Sequence, residues 1–439
     1  MKTTALSRRR FVALSTRGAA GLAVSTTLAR PAFAAQAAPQ NLVIGDPEGV
    51  LGRTQAPVTA KSLLPDRLRR AAAEGRLVMR ETRSRASREI PVQLLEAPAG
   101  EQSRLCWRMP PGPAGTRSFK LAEARQQASP PMHAGQQQNG PQFVISEQGR
   151  PALQYNYAKV EAGEVWSSIS ADNRKYAVAR SDYIHPLYGP EGEVLTKDWS
   201  PDHPHHRGIY WAWPEVDWHG QRGDLHALQK VFARPAGKCA AVSGPVFAQI
   251  DAANTWEWET GEPIVRERAI IRAYRATALG RLIDLELQFE ALSDPVELAR
   301  RGTSHYGGLN VRLNAVKDQR IIKHTDPVGS AVAGQHALPA YPRAAWSDLS
   351  GVFPGATEPA GLVVIQHASN PDYPGDWIEY PELNWVQPTF PASGTRHQLQ
   401  KGKPLSLKFR FWIHPGASVT DPAALDQCLA AQSAYSSLW

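Results

Sequence analysis

The chain has 439 residues, of which 42% are hydrophobic, and a formal net charge of +8. This length exceeds one ordinary domain, so two are expected. Six of the positive charges lie in the first 34 residues, which contain no acidic residue, and the remainder of the chain carries only +2. A nearly neutral chain without a basic run gives no reason to expect nucleic acid as a partner. No stretch reaches the ~18 uninterrupted apolar residues of a membrane span, so membrane insertion is not expected.

The N-terminus contains the three parts of an export signal. Ser7-Arg8-Arg9-Arg10-Phe11 is a twin-arginine pattern, a weakly apolar stretch follows it, and Ala32-Phe33-Ala34 is typical of a cleavage site. Residues 1–34 are therefore interpreted as a twin-arginine signal peptide. The mature protein is expected to be periplasmic or secreted.

Residues 41–123 predict a small β-rich accessory domain. Short apolar runs such as 90–95 are separated by Pro/Gly turns such as 110–113, a spacing typical of a small β-sandwich. Residues 124–141 are rich in Gln, Pro, Gly and Ala and lack periodicity, which indicates an interdomain linker.

Residues 142–439 predict a large antiparallel β-sandwich that carries the functional site. Apolar residues occupy every second position over 282–290 and again over 405–413. Period-two alternation predicts antiparallel strands, in sheets that are each covered on one side. There is no alternation of strands with helices, so the all-β class is expected. One short helix is predicted near the C-terminus, with Asp421 as its N-cap and Pro422 as its first residue.

Histidines are concentrated in one part of the chain. Six of the thirteen lie between His185 and His226, and residues 202–208 read DHPHHRG. Titratable rings close to aromatic side chains are typical of a small-molecule site. Prolines at 201 and 204 are expected to hold this segment extended. Because alternate residues of an extended chain face the same side, His203 and His205 would point together and His206 away.

Three interpretations of the histidine segment stay open. A metal-free acid/base site would use one histidine with Asp202, Asp217 or another histidine as its partner. A metal site would place copper, zinc or iron on His203 and His205, with a third histidine from elsewhere in the chain. In the third interpretation, the histidines form a hydrogen-bonded structural network with Arg207.

Other side chains are candidates to line the same site, because aromatic rings stack on the apolar C–H faces of sugars and polar groups bind the hydroxyls. The catalytic candidates are His185, Asp202, His203, His205, His206 and Arg207. The candidates for substrate binding are Trp211, Trp213, Asp217, His305, Asn310 and Trp377, and the candidate third metal ligands are His185 and His305.

The segments SDYIHPLYGPEGEVLT (181–196) and DHPHHRGIYWAW (202–213) resemble the PmoA-like family of exported bacterial proteins. The resemblance extends over about residues 142–416, including 306–309 and the loop 370–377. It implies a β-sandwich of the supersandwich kind seen in galactose-mutarotase-like proteins, and it favours a carbohydrate substrate. The membrane methane oxidation that the family name suggests is not carried over, since the chain has no membrane span.

These observations together predict an exported carbohydrate-active enzyme, a lyase, isomerase or hydrolase, acting on a sugar or oligosaccharide through a histidine-rich acid/base site. A metal-dependent enzyme is the first alternative, with a divalent metal as its cofactor. A non-catalytic glycan-binding protein is the second.

Overall fold

A computed structural model of the chain describes residues 41–47, 49–62, 64–82, 88–95, 103–126, 130–324 and 343–417. Within them the protein consists of four antiparallel β-sheets and a few short helices. The predicted all-β class is therefore confirmed. None of the described helices is long and apolar enough to cross a membrane. The predicted signal peptide and C-terminal helix lie outside the described residues.

The N-terminal part is a six-stranded sheet with two short helices and a core of its own. Strand β4 pairs with β3 at its start and with β5 along the rest of its length, so the sheet bends around that core. The elements, in chain order, are β1 (Asn41–Asp46), α1 (Val50–Thr54), β2 (Pro57–Ser62), α2 (Asp66–Ala73), β3 (Leu77–Glu81), β4 (Ile90–Leu95), β5 (Ser103–Arg108) and β6 (Gly115–Glu123).

The predicted linker, residues 124–141, contains a strand. Strand β7 (Met132–Gln136) pairs antiparallel with β8 (Phe143–Glu147), and Met132 and Ala134 are buried in the core of the second domain. The strand has only five residues and buries only two of them, too few for a periodic pattern to stand out in the sequence. The linker prediction is wrong for this part of the chain.

Twenty strands, β8 to β27, follow β7 in the second domain, and their pairs are antiparallel. After β8 they are β9 (Arg150–Asn156), β10 (Tyr183–Leu187), β11 (Ile209–Ala212), β12 (Glu215–Trp218), β13 (Gln221–Gly223), β14 (Val231–Pro235), β15 (Ala240–Val242), β16 (Phe247–Trp258), β17 (Pro263–Tyr274), β18 (Arg281–Ala291), β19 (Val296–Ala299), β20 (Gly308–Arg312), β21 (Lys317–His324), β22 (Trp346–Val352), β23 (Ala360–Gln366), β24 (Trp377–Tyr380), β25 (Trp385–Pro388), β26 (His397–Leu399) and β27 (Leu405–Pro415). Short 3-10 helices lie at Gly163–Ser168, Arg174–Tyr176, Arg301–Thr303 and Pro381–Leu383.

Two large sheets form the sandwich. One has the order β24-β25-β20-β11-β10-β9-β8-β7, and the other β14-β16-β17-β18-β27-β23-β22-β21, with β15 added at β16. Side chains of both sheets share one continuous core, in which Trp211 of the first sheet donates a hydrogen bond from Nε1 to Glu267 Oε1 of the second, at 2.8 Å. A smaller sheet, β13-β12-β19-β26, completes the domain.

The long alternating segments are strands, as predicted, but their polar faces are not all open to solvent. On β18, Asp284 is buried and accepts two hydrogen bonds from Arg410, at 2.6 and 2.9 Å. This face is covered because the N-terminal domain packs there, with Leu95 and Cys106 in one apolar cluster with Tyr274 of β17. The expectation that each sheet is covered on one side is therefore wrong at this position.

Candidate functional site

The segment that carries the histidines is a loop, residues 198–207, that starts and ends at one point of the first sheet. Gly208 N donates to Lys197 O at 2.7 Å, and Lys197 N donates to the Arg312 carbonyl of β20 at 3.1 Å. Gly208 has a φ of 57°, and a Cβ at this position would lie 2.3 Å from Ile184 O. Only glycine fits this closure point.

Within the loop, the chain turns at Pro204 instead of staying extended. His206 N donates to His203 O at 3.0 Å, which closes a β-turn with proline at its second position. Proline presets the φ that this turn position requires, so the same residue that suggested an extended chain favours a turn. The turn brings the His206 ring to 4.8 Å from the His203 ring, and the expectation that His206 points away is wrong.

Four histidines line one cavity of about 320 Å³: His203, His205, His206 and His226. Aromatic side chains form much of the remaining wall. Trp385 packs against His206 with 4.8 Å between ring centroids and stacks on Tyr380 at 4.9 Å. The complete lining is Asn173, Tyr176, Asp202, the four histidines, Ala227, Arg301, Tyr306, Tyr380, Leu383 and Trp385.

Three of these histidines form a potential metal-binding group. One ring nitrogen of each of His205, His206 and His226 lies within 4.8 Å of the others. Among the described residues, these three form the group with the spacing to hold a metal ion. The sequence pointed instead to His203 and His205 with His185 or His305. The group in the structure shares only His205 with that prediction. His206 takes the place of His203, and the third histidine is His226, from a loop that the sequence did not single out.

The loop that carries His226 is held in place by buried polar contacts. Arg180 donates from Nη2 to the carbonyls of Leu225 and His226, at 2.9 and 2.6 Å. Asp224 Oδ1 accepts a hydrogen bond from Ala227 N at 2.7 Å. These contacts determine the loop conformation and thereby aim the His226 ring at the cavity.

The His226 ring is also oriented from behind, by strands β11 and β20. Tyr210 lies on the face of β11 opposite Trp211, and its hydroxyl is 3.0 Å from His226 Nε2. Asn310, the cross-strand neighbour of Tyr210, also hydrogen-bonds the His226 side chain. Tyr210 thus holds the ring through Nε2. Such fixing of a ring through its second nitrogen is typical of metal-binding histidines.

The triad is uncharged at neutral pH. Burial lowers the pKa of His205 to about 3, and the nearby charge of Arg180 acts in the same direction. Burial and the neighbouring imidazoles hold the pKa values of His206 and His226 well below the usual range. Neutral imidazoles are the form that binds metals.

The nitrogens of the triad fit a metal in chemistry and nearly in spacing. The Nδ1 atoms of His205 and His206 are buried without a hydrogen-bond partner, an arrangement that costs about 1–3 kcal/mol per group unless a ligand satisfies it. Tetrahedral zinc with bonds of about 2.0–2.1 Å needs nitrogens about 3.3 Å apart. The three nitrogens lie within 4.8 Å of one another, so the rings would have to move closer together to bind such a metal. An all-imidazole set suits zinc, copper, nickel or iron.

His203 and Asp202 form a separate pair at the mouth of the cavity. His203 Nδ1 lies 3.0 Å from Asp202 Oδ2, and both side chains are partly exposed. Burial acts to raise the pKa of Asp202, but hydrogen bonds from Ser200 and His203 and the charge of Arg312 outweigh it and lower that pKa. Asp202 is therefore a carboxylate that orients the His203 ring.

Arg207 does not reach the cavity. Its guanidinium is fully buried, bonds Asp198 and donates to the Tyr183 hydroxyl at 2.5 Å. It also stacks on Trp199, with 3.6 Å between its Cζ and the ring centroid. Its contacts hold the histidine loop against strand β10.

Two further histidine candidates also lie away from the triad. His185 Nδ1 contacts Thr196 Oγ1 at 2.9 Å on strand β10, and burial lowers its pKa. His305 Nδ1 faces the Arg301 carbonyl at 3.1 Å, inside the turn that precedes β20. Neither ring lines the cavity, so neither is the third member of the group.

The tryptophans chosen from the sequence are core residues, because their strands place them between the sheets. Trp211 bonds Glu267, Trp213 donates to the Phe390 carbonyl at 2.7 Å, and Trp377 donates to the Ala344 carbonyl at 2.8 Å. Asp217 is also remote and pairs with Arg222 at 2.7 Å. Among the candidates for substrate binding, Asn310 is the one that contacts the triad.

Sequence reasoning missed most of the walls and one triad member. His226 is an isolated histidine in the sequence, and only its nearness to the 202–208 cluster hinted at a role. Tyr306 stands in a segment quoted for the family resemblance, and its ring lies 4.8 Å from that of His226. Trp385 belongs to the turn-rich segment 385–391, which the sequence suggests as part of a pocket rim, and it lines the cavity.

The fold and the cavity together define the class of protein: an all-β sandwich with an aromatic-lined histidine site beside the edge of one large sheet. No curated protein matches the chain significantly. A family model described as "Family of unknown function (DUF6807)" matches residues 142–429. The chain belongs to this family, and the match covers the whole histidine cavity.

Proposed function

We propose that this protein is an exported, metal-dependent enzyme that acts on a carbohydrate, with His205, His206 and His226 as the metal ligands. The observation that carries the proposal is the convergence of three neutral imidazoles at the wall of an open cavity. A divalent metal held by these three histidines would supply Lewis-acid chemistry, by polarising a substrate oxygen or lowering the pKa of a bound water. Three protein ligands leave a coordination position for that purpose.

The carbohydrate part of the proposal is supported by the walls. Trp385 and Tyr380 form a stacked pair, and the Tyr306 ring lies 5.8 Å from that of Trp385. Aromatic faces of this kind match the C–H faces of a pyranose ring. The resemblance to PmoA-like and galactose-mutarotase-like proteins, and export through the twin-arginine signal, remain parts of the same proposal.

Metal content of protein purified from its native compartment tests the centre. We expect about one equivalent of zinc, copper or iron in the wild type and in His219→Ala, whose exposed ring pairs with Asp294 far from the triad. His226→Ala should lose at least nine-tenths of the metal while keeping a cooperative thermal transition. Less than a tenth of an equivalent in the wild type, or full retention by His226→Ala, would refute the metal centre.

Measurements of substrate turnover distinguish the metal-dependent enzyme from the metal-free enzyme and from the glycan-binding protein. Oligosaccharides and simple glycosides are screened before and after treatment with a chelator, and metal should restore the lost activity. Turnover that survives chelation but disappears in His203→Ala would instead support the metal-free acid/base site, which the contact between His203 and Asp202 favours. Calorimetric glycan binding without any product would support the glycan-binding alternative.

A further inference from the structure

The triad contributes no negative charge to a metal bound there. All three ligands are neutral, whereas carboxylate ligands would offset the charge of a dication. The nearby carboxylates already face arginines: Asp224 pairs with Arg301 at 2.6 Å, and Asp202 lies 3.5 Å from Arg312. A bound dication therefore adds positive charge that the described side chains leave uncompensated.

The buried Arg180 adds to this positive character from behind the triad. Its hydrogen-bond partners at this position are the carbonyls of Leu225 and His226. Its guanidinium also lies over the Tyr210 ring, 4.6 Å from the centroid, so its charge stands behind the contact between Tyr210 and His226. The cavity floor thus favours a ligand that brings negative charge with it.

Arg301 offers a directed anchor for such a ligand. It lines the cavity with its side chain 46% exposed, and Asp224 holds Nη2 while the Tyr306 hydroxyl accepts from Nε at 3.2 Å. The hydrogen bonds of this side chain use Nη2 and Nε, which leaves Nη1 for a ligand. A guanidinium held in this way can donate a charge-assisted hydrogen bond to a carboxylate or phosphate.

We infer that the substrate is an acidic sugar, whose carboxylate or phosphate group binds Arg301 while its hydroxyl groups reach the metal. This inference deepens the function proposed above and rests on it. It excludes neutral sugars as preferred substrates and identifies Arg301 as the residue that determines specificity.

The test uses the zinc-loaded full-length protein and three sugars that differ in one group: glucose, glucuronate and glucose 6-phosphate. We expect at least one acidic sugar to bind about tenfold or more tightly than glucose in calorimetric titrations, as a charge-assisted hydrogen bond allows. Arg301→Gln should reduce this preference to within about threefold. Arg222→Gln is the matched control, because Arg222 is similarly exposed and paired with Asp217 but remote from the cavity, and it should keep the full preference.

Zinc content is measured in every sample, so that the two proposals fail separately. A full equivalent of zinc with equal affinities for the three sugars, or with no sugar bound, overturns the acidic-sugar inference and leaves the metal centre intact. A preference that Arg301→Gln retains also overturns it. Less than a tenth of an equivalent of zinc overturns the metal centre, and this inference with it. Comparison of glucuronate with glucose 6-phosphate tells which anion the site accepts.

Discussion

Removal of one hydroxyl behind the triad should weaken metal binding without changing the cavity. In Tyr210→Phe the ring of strand β11 is kept, but the contact between the hydroxyl and His226 Nε2, 3.0 Å long, is lost. His226 would then rely on Asn310 and the loop contacts for its orientation. Loss of a hydrogen bond that orients a ligand typically reduces metal affinity 10–100-fold, or about 1.4–2.7 kcal/mol.

Zinc affinity is measured by competition with a chromophoric chelator, and the thermal midpoint of the apoprotein is measured beside it. Tyr274→Phe is the matched control, since its buried hydroxyl donates to Asp284 at 2.8 Å and lies on strand β17, away from the cavity. Both variants lose one buried hydrogen bond, so both should lose about 1 kcal/mol of stability. Only Tyr210→Phe should lose zinc affinity.

Two results would refute this reasoning. If Tyr210→Phe binds zinc as tightly as the wild type, then His226 is either not a ligand or is oriented by other groups. If Tyr274→Phe weakens zinc binding to the same extent, the effect arises from general loss of stability and not from the orientation of the ring.

Two further predictions concern groups outside the cavity. Arg207→Met should destabilise the fold by about 3 kcal/mol in denaturant titrations, because Asp198, only 12% exposed, is left without its arginine partner. A loss below about 1 kcal/mol, typical of an exposed pair, would contradict the structural role assigned to Arg207. Burial acts to lower the pKa of His414, but the hydrogen bond with Asp348, 3.1 Å long, outweighs it and raises that pKa. The folded state thus favours the charged His414 ring. The contribution of this ring to the stability of the fold is complete below the usual histidine pKa of about 6.5, and it is lost as the pH rises through the pKa of His414 in the folded protein. The thermal midpoint of wild type should exceed that of His414→Gln most at acidic pH, and a difference independent of pH would contradict this.

The strands that carry the fold could be predicted because their signal is local. On β18 the apolar side chains Ile283, Leu285, Leu287 and Phe289 are buried in the core, as the periodic pattern of residues 282–290 indicates. The short strand β7 could not be predicted, since its pairing with β8 comes from tertiary contacts and not from a pattern of its own. The burial of Asp284 likewise depends on how the N-terminal domain packs against the sheet.

The position of the site along the chain was also visible in the sequence, but its composition was not. Four of the six catalytic candidates line the cavity: Asp202, His203, His205 and His206. The direction of each ring, however, depends on the turn at Pro204, which the sequence alone allowed to be read as extended. Arg207 illustrates the same difficulty, because a guanidinium within a site motif and a buried structural guanidinium look identical in a sequence.

The amino-acid sequence by itself determined the all-β class and the segment where chemistry is concentrated, because strand periodicity and the density of histidines are properties of neighbouring residues. Only the tertiary structure decided which imidazoles meet and which aromatic rings surround them. His226 joins His205 and His206 because Arg180, Asp224 and Tyr210, from separate parts of the chain, hold its loop and ring in place. Such an arrangement depends on contacts between distant residues, and no local pattern encodes it.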